Sequence, residues 1–157
     1  MAKLGADPED MRGWQRLDAQ TTTSGRVESA DVARLAAIGV RHVINLALDS
    51  HPDALADEAA LLAAQGIDYT HIPVPFDAPG EAQFSAFQAA LKKGAHPVHV
   101  HCIMNWRVSA FFYRLNRDIN AMPEAVARAL MEKHWSPETS AYPGAAAWAK
   151  FIAEKAG

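Results

Sequence analysis

A chain of 157 residues with 50% hydrophobic and 21% charged side chains holds enough apolar material for one compact domain, which excludes disorder, collagen-like repeats and a disulfide-stapled scaffold. The 18 Asp and Glu against 15 Lys and Arg give a net charge of −3 with no block of like charge, so a nucleic-acid binder working through a basic field is disfavoured. The single cysteine, Cys102, has no partner for an internal disulfide, and no run approaches the roughly 18 apolar residues of a membrane span. The expected setting is therefore cytoplasmic, with neither nucleic acid nor membrane as a partner, and residues 1–13 are expected to form a loose extension of a single domain spanning 1–157.

From Trp14 to Val27 the threonines 21–23 followed by Ser24-Gly25 predict one or two short strands ending in a turn, placed at a sheet edge. Ser29 is a candidate cap for a helix with Val32, Leu35 and Ala36 on one face, and Gly39 stands where a helix C-terminal glycine belongs. Val43-Ile44-Asn45-Leu46 then reads as a buried parallel strand. The same grammar recurs twice. Leu55, Ala59 and Leu62 precede a strand within Ile67 to Val74, and Phe84, Phe87 and Leu91 precede a strand at Pro97 to His101. Val108, Phe111, Phe112 and Leu115 mark a helix beginning near Arg107. The last third is helical, with Pro123 at a first helical position and Trp148, Phe151 and Ile152 closing the chain. The predicted class is α/β, a central mostly parallel sheet flanked by helices.

Chemistry concentrates in His101-Cys102-Ile103-Met104-Asn105-Trp106-Arg107-Val108-Ser109. Here a buried strand runs into a short loop and then a helix, at the carboxyl edge of the sheet where open α/β folds bind ligands. Free N–H groups at the helix start, the helix dipole and the forked guanidinium of Arg107 together suit a phosphate or sulfate. That field also favours the thiolate, making Cys102 a candidate nucleophile for a phosphomonoester. The leaving oxygen then needs a proton. Asp77, 25 residues before Cys102 and just past the preceding strand, is the candidate acid, with Asp49 in reserve.

On these residues the chain resembles the cysteine-dependent protein phosphatases, in particular bacterial relatives of the dual-specificity branch. The resemblance runs over about residues 14–118, through Thr23-Ser24-Gly25, Val43-Ile44-Asn45-Leu46, Ile72-Pro73-Val74 and His101-Cys102 to the Arg107-x-Ser109 turn into Phe111. It implies Cys102 as nucleophile, Arg107 as phosphate clamp, residues Ile103, Met104, Asn105, Trp106 and Val108 as the phosphate loop, His101 as supporter of the thiolate and Ser109 as a hydroxyl that bonds it. It further implies a phosphorylated protein or a small phosphomonoester as substrate, and chemistry that needs no metal or cofactor. The loop departs from the family pattern. Four residues separate cysteine and arginine instead of five, and the customary loop glycine is missing.

The shorter spacing is also similar to the loop of rhodanese sulfurtransferases, which hold a cysteine persulfide. A non-catalytic phosphate-binding module and a redox-sensing thiol are further readings of the same residues. Against the rhodanese reading stand His101 and the acid loop. The histidines elsewhere (42, 51, 71, 96 and 134) are scattered without metal-ligand spacing, and Trp135 reads as core.

Overall fold

The computed structural model describes residues 6–155, so residues 1–5 of the expected extension lie outside it. Five strands form one sheet in the order β1-β2-β5-β3-β4: β1 (Gln15–Asp18), β2 (Thr21–Ser24), β3 (His42–Asn45), β4 (Asp68–His71) and β5 (Val98–His101). Only β1 with β2 is antiparallel; the other three pairings are parallel. This is the α/β architecture that the alternating apolar runs predict. One placement differs. Only β1 is an edge strand of the Trp14–Val27 segment, since β2 is paired on both sides.

Six helices cover the two faces: α1 (Ser29–Ala37), α2 (Glu58–Ala64), α3 (Glu81–Lys93), α4 (Trp106–Arg114), α5 (Glu124–Glu132) and α6 (Ala145–Ala153). The period of two along the strands sorts their side chains between these layers. Ile44, Val98 and Val100 face α3 to α6 and join a core with Phe84, Phe87, Phe111, Trp148 and Phe151. Val43 faces the other way, onto Val32, Leu35 and Leu62 of α1 and α2. Each of these fully buried large apolar side chains contributes about 1.5–3 kcal/mol over its exposed state. The cap of α1 is Glu28, not Ser29: Glu28 and Asp31 make a reciprocal capping box, and Ser29 becomes the first helical residue. Pro123 likewise sits one position earlier than expected, as the N-cap of α5.

Arg114 fixes α4 against its neighbours. It is fully buried, forks onto Glu81 at 2.6 and 3.0 Å, and lies 4.5 Å from the ring centroids of both Phe84 and Phe151. After Arg114 the helix passes into a π-helical turn, Leu115–Ile119. Among the described residues no helix is long and apolar enough to cross a membrane.

Parallel register aligns polar residues into rows. Thr22, His99 and Val43 share one row, and Ser24, His101 and Asn45 the next on the same face, two residues on at the carboxyl edge. His99 has 0% exposure and is held between the Thr22 hydroxyl at Nδ1 (2.9 Å) and Ser24 Oγ at Nε2 (2.8 Å), with its ring stacked on Trp14. Ser24 Oγ donates to the Gly25 carbonyl, so His99 Nε2 carries the proton and Thr22 donates to Nδ1. Burial, helped by the neighbouring His101, keeps this ring neutral far below the usual histidine range.

That has a measurable consequence. Below pH of about 6.5 the unfolded chain protonates this histidine and the folded chain does not. Its stabilising contribution is complete above that pH and is lost as pH falls toward the folded-state value. Denaturant titrations from pH 7 to 5 are expected to show stability falling, and His99→Asn to reduce that slope by up to about 1.4 kcal/mol per pH unit. An unchanged slope in a folded variant would refute the assignment.

Candidate active site

The strand-loop-helix junction after β5 builds the site. Cys102 N–H donates to the Ser24 carbonyl at 3.4 Å, continuing the β5–β2 ladder one step, and the Ile103 carbonyl accepts from Arg26 N–H at 2.8 Å. Gly25 is required for this approach, because a Cβ there would meet the Ile103 carbonyl oxygen at 2.4 Å. Among the described residues the N–H groups of Ile103 to Arg107 have no backbone acceptor, as expected of the residues that open a helix.

Asn105 makes the sharp turn of this glycine-free loop. It adopts the left-handed conformation, φ 68°, that asparagine tolerates better than most residues, and it caps α4 through its carbonyl, which accepts Ser109 N–H at 2.8 Å. Its side-chain amide is fully buried and donates to the Gly13 carbonyl (2.7 Å) and Thr23 Oγ1 (2.9 Å), with His134 Nε2 at 3.3 Å. Residues 11–13 of the expected loose extension are therefore docked. Met11 is buried in the α1/α2 core, the Arg12 carbonyl accepts Gly25 N–H, and Gly13 bonds the loop.

A cavity of about 140 Å³ opens over the junction, lined by Cys102, Ile103, Met104, Trp106, Arg107, Phe76, Tyr142 and His51. Cys102 itself is 1% exposed, so its sulfur is reached only through this cavity. Arg107 is buried, donates one terminal nitrogen to the Val74 carbonyl at 2.9 Å and stands 5.8 Å from the Phe76 ring centroid. Among the described residues its other donors have no hydrogen-bond partner, so the fork is anchored at one prong and available at the rest. Trp106 stacks on the buried Trp135 (4.9 Å, 5°) while presenting a wall to the cavity, and Phe76 and Tyr142 meet it from the turn after Val74 and from the segment before α6.

Behind the loop His101 makes two contacts. Nδ1 faces the Cys102 carbonyl at 3.1 Å and Nε2 faces Glu58 Oε2 at 2.5 Å. Its contact with Cys102 is thus to that residue's own carbonyl. Ser109 was expected to bond the thiolate; instead its Oγ donates to the Trp106 carbonyl at 3.0 Å, stapling the first turn of α4. Val108 is buried in the core beneath the loop.

The two carboxylate candidates lie outside the cavity lining. Asp77 is exposed in the turn after Phe76, adjacent in sequence to a lining residue. Asp49 is 85% exposed, approaches His71 at 3.3 Å and borders a separate cavity of about 360 Å³ with Glu58 and Tyr69. Sequence reasoning missed His51, Phe76, Tyr142 and Glu58. Only Phe76 carried a signal, its place beside Asp77; the others arrive from loops and a helix start whose spacing to Cys102 is set by folding alone. Among the described residues no group of three or more His, Cys, Asp or Glu side chains is arranged to hold a metal ion.

Residues 14–117 match the family described as the phosphatase-like domain of beta-lactamase hydrolase-like proteins. A beta-lactamase hydrolase-like protein from Agrobacterium fabrum is 31% identical over 90 residues, a match covering 55% of this chain and 21% of that protein, so the chain corresponds to about a fifth of that relative's length. The crystal structure of a candidate phosphatase (DUF442) from Shewanella putrefaciens superposes with a TM-score of 0.77 at 30% identity, covering 94% of this chain and 95% of that one. TpbA from P. aeruginosa, solved in complex with phosphotyrosine, shares the fold with a TM-score of 0.63 at 21% identity, over 95% and 94% of the two chains.

Proposed function

Since the chain belongs to the phosphatase-like domain family of beta-lactamase hydrolase-like proteins, we propose that it is a phosphomonoester hydrolase acting through a phosphocysteine on Cys102. The observation that carries this reading is the single cavity wall shared by Cys102, Arg107 and the loop whose N–H groups are free of backbone partners. In the first step the Cys102 thiolate attacks phosphorus, the S–P bond forms as the P–O bond breaks, and the leaving oxygen takes up a proton. Loop N–H groups and Arg107 stabilise the equatorial oxygens as charge redistributes in the in-line transition state. In the second step water attacks phosphorus, loses a proton, and releases the thiolate and inorganic phosphate. Asp77 is the proposed proton donor and acceptor, reached from its turn when the loop after Val74 folds over a bound substrate.

The walls of the cavity favour an aryl ester. Phe76, Trp106 and Tyr142 line the cavity with aromatic rings, and offset or edge-on pairs with a substrate ring each contribute about 0.5–1.5 kcal/mol beyond area burial. A phosphorylated protein side chain or a small aryl phosphate fits this lining.

Steady-state hydrolysis of p-nitrophenyl phosphate and of an alkyl phosphate, in EDTA throughout, tests the reading. Expected are turnover that EDTA leaves intact, preference for the aryl ester, and an acid-quenched enzyme whose mass has risen by one phosphoryl group. Asp77→Asn should slow the ester with the poorer leaving group by about 10²-fold or more while sparing p-nitrophenyl phosphate. Phosphate binding by folded wild type without turnover would replace the hydrolase with a binding module, and thiosulfate-to-cyanide transfer would replace it with a sulfurtransferase.

A further inference from the structure

Glu58 is a buried carboxyl that the proposed chemistry does not use, and its position against His101 needs an explanation. Their side chains are 5% and 4% exposed and 2.5 Å apart, in a fold with ample solvent for an ordinary ion pair. Taking two charges out of water is costly unless the geometry supplies compensating hydrogen bonds. Those bonds are present. Glu58 Oε1 accepts from Asn45 Nδ2 at 3.3 Å, and the same amide donates to Tyr69 OH at 3.1 Å while its oxygen accepts Ala47 N–H at 2.9 Å. Asn45 is thereby locked with its donor toward Glu58.

One proton of His101 is fixed by its partner: a carbonyl only accepts, so Nδ1 donates to the Cys102 carbonyl. On the other side Nε2 and Glu58 Oε2 share one proton across 2.5 Å. His101 thus bridges Glu58 and the Cys102 carbonyl, one ring nitrogen on each. The peptide from Cys102 to Ile103 is planar and trans, so holding its carbonyl against His101 directs the Ile103 N–H to the opposite side.

We infer that Glu58 is a positioning residue for the nucleophile: through His101 it holds the Cys102–Ile103 peptide, and with it the loop that favours the thiolate, in place. This rests on the reading of Cys102 as nucleophile. The groups facing the pair do not take over its role. Tyr69 of β4 is pushed up to about 12 by burial and stays neutral. His99 of β5, 6.3 Å away, is also kept neutral by burial. Asp49 is turned to solvent and His71, Asp57 borders the neighbouring cavity, and Arg107 of α4 is anchored on Val74.

The test is the rate of Cys102 alkylation by iodoacetamide from pH 5 to 9, measured with p-nitrophenyl phosphate turnover, for wild type, Glu58→Gln and Glu58→Asp. Alkylation reads the thiolate without needing turnover. In Glu58→Gln the short contact that holds His101 against the Cys102 carbonyl is weakened, so alkylation at neutral pH is expected to drop about tenfold and its rise to move to higher pH. kcat/KM should fall with the same displaced profile, and Glu58→Asp should recover part of both. His101→Asn combined with Glu58→Gln should lose no more than His101→Asn alone. Superimposable alkylation profiles for wild type and folded Glu58→Gln, or additive losses in the double variant, would overturn the assignment. Wild type that alkylates with the expected Glu58 dependence yet hydrolyses no phosphate would instead overturn the phosphatase reading and leave the positioning role standing. If Glu58→Gln fails to fold, Glu58→Asp with an undisturbed alkylation profile overturns the inference by itself.

Discussion

Cys102→Ser protein is expected to lose turnover of p-nitrophenyl phosphate by on the order of 10⁴-fold or more while still folding and binding an oxyanion. The argument begins with the site's geometry. Cys102 closes the inner end of the cavity, its backbone is tied to Ser24 on one side and its carbonyl to His101 on the other, so the loop keeps its shape when sulfur becomes oxygen. The exchange is nearly isosteric, and a buried hydroxyl costs about 1–3 kcal/mol if it finds no partner. Chemistry suffers far more. A serine hydroxyl stays protonated near neutral pH, and no base lines the cavity beside it except His51, whose Nδ1 already accepts Asp53 N–H at 3.0 Å. The checks are steady-state kinetics, tungstate or vanadate binding by calorimetry, and thermal denaturation. Residual hydrolysis at the wild-type rate would remove Cys102 from the mechanism.

Arg107→Ala should reduce kcat/KM by about 10³-fold or more, equivalent to about 4 kcal/mol of transition-state stabilisation, and should weaken oxyanion binding in parallel. A guanidinium in this cavity acts in a buried, partly apolar setting, bounded by Phe76 and Trp106, where its attraction for a phosphate is screened less than at the surface. Its second role is structural. The bond to the Val74 carbonyl ties α4 to the turn carrying Phe76 and Asp77, so truncation also leaves a buried carbonyl unpaired, at a cost of about 1–3 kcal/mol. Arg107→Lys separates the two roles. A lysine keeps the charge but not the fork, and is expected to bind oxyanion better than alanine while remaining well below wild type in rate. Equal binding by wild type and Arg107→Ala, measured by calorimetry on folded protein, would sink the clamp.

Much of this was legible without coordinates because it depends on local periodicity. Alternating apolar runs of strand and helix length specify parallel crossovers, and the run from Val98 through Arg107 specifies a strand, a loop and a helix start at one sheet edge. Cys102 and Arg107 are five positions apart in sequence, so chain geometry alone brings them to one loop. Element ends were less legible. Ser29 and Pro123 each shifted by one position: the reciprocal capping box of Glu28 and Asp31 starts α1 ahead of Ser29, and Pro123, with an extended ψ of 136°, caps α5 from outside it.

The residues that only folding brought to the loop share one property: long sequence separation. Glu58 reaches His101 across 43 residues, Asn105 reaches Gly13 across 92, and Trp148 Nε1 donates to the Phe76 carbonyl across 72 at 2.5 Å, bracing the aromatic wall. No periodicity encodes such pairings, because each depends on the register of the sheet and the path of a loop. The sequence by itself determined the α/β layering, the strand-loop-helix junction and its Cys102 and Arg107, all of which follow from hydrophobic period and short-range chain geometry. The tertiary structure alone decided that Asn105 turns left-handed and bonds Gly13, that Asp77 stands outside the cavity lining, and that His101 is paired with the buried Glu58, since burial and hydrogen-bond partners exist only once distant segments share a core.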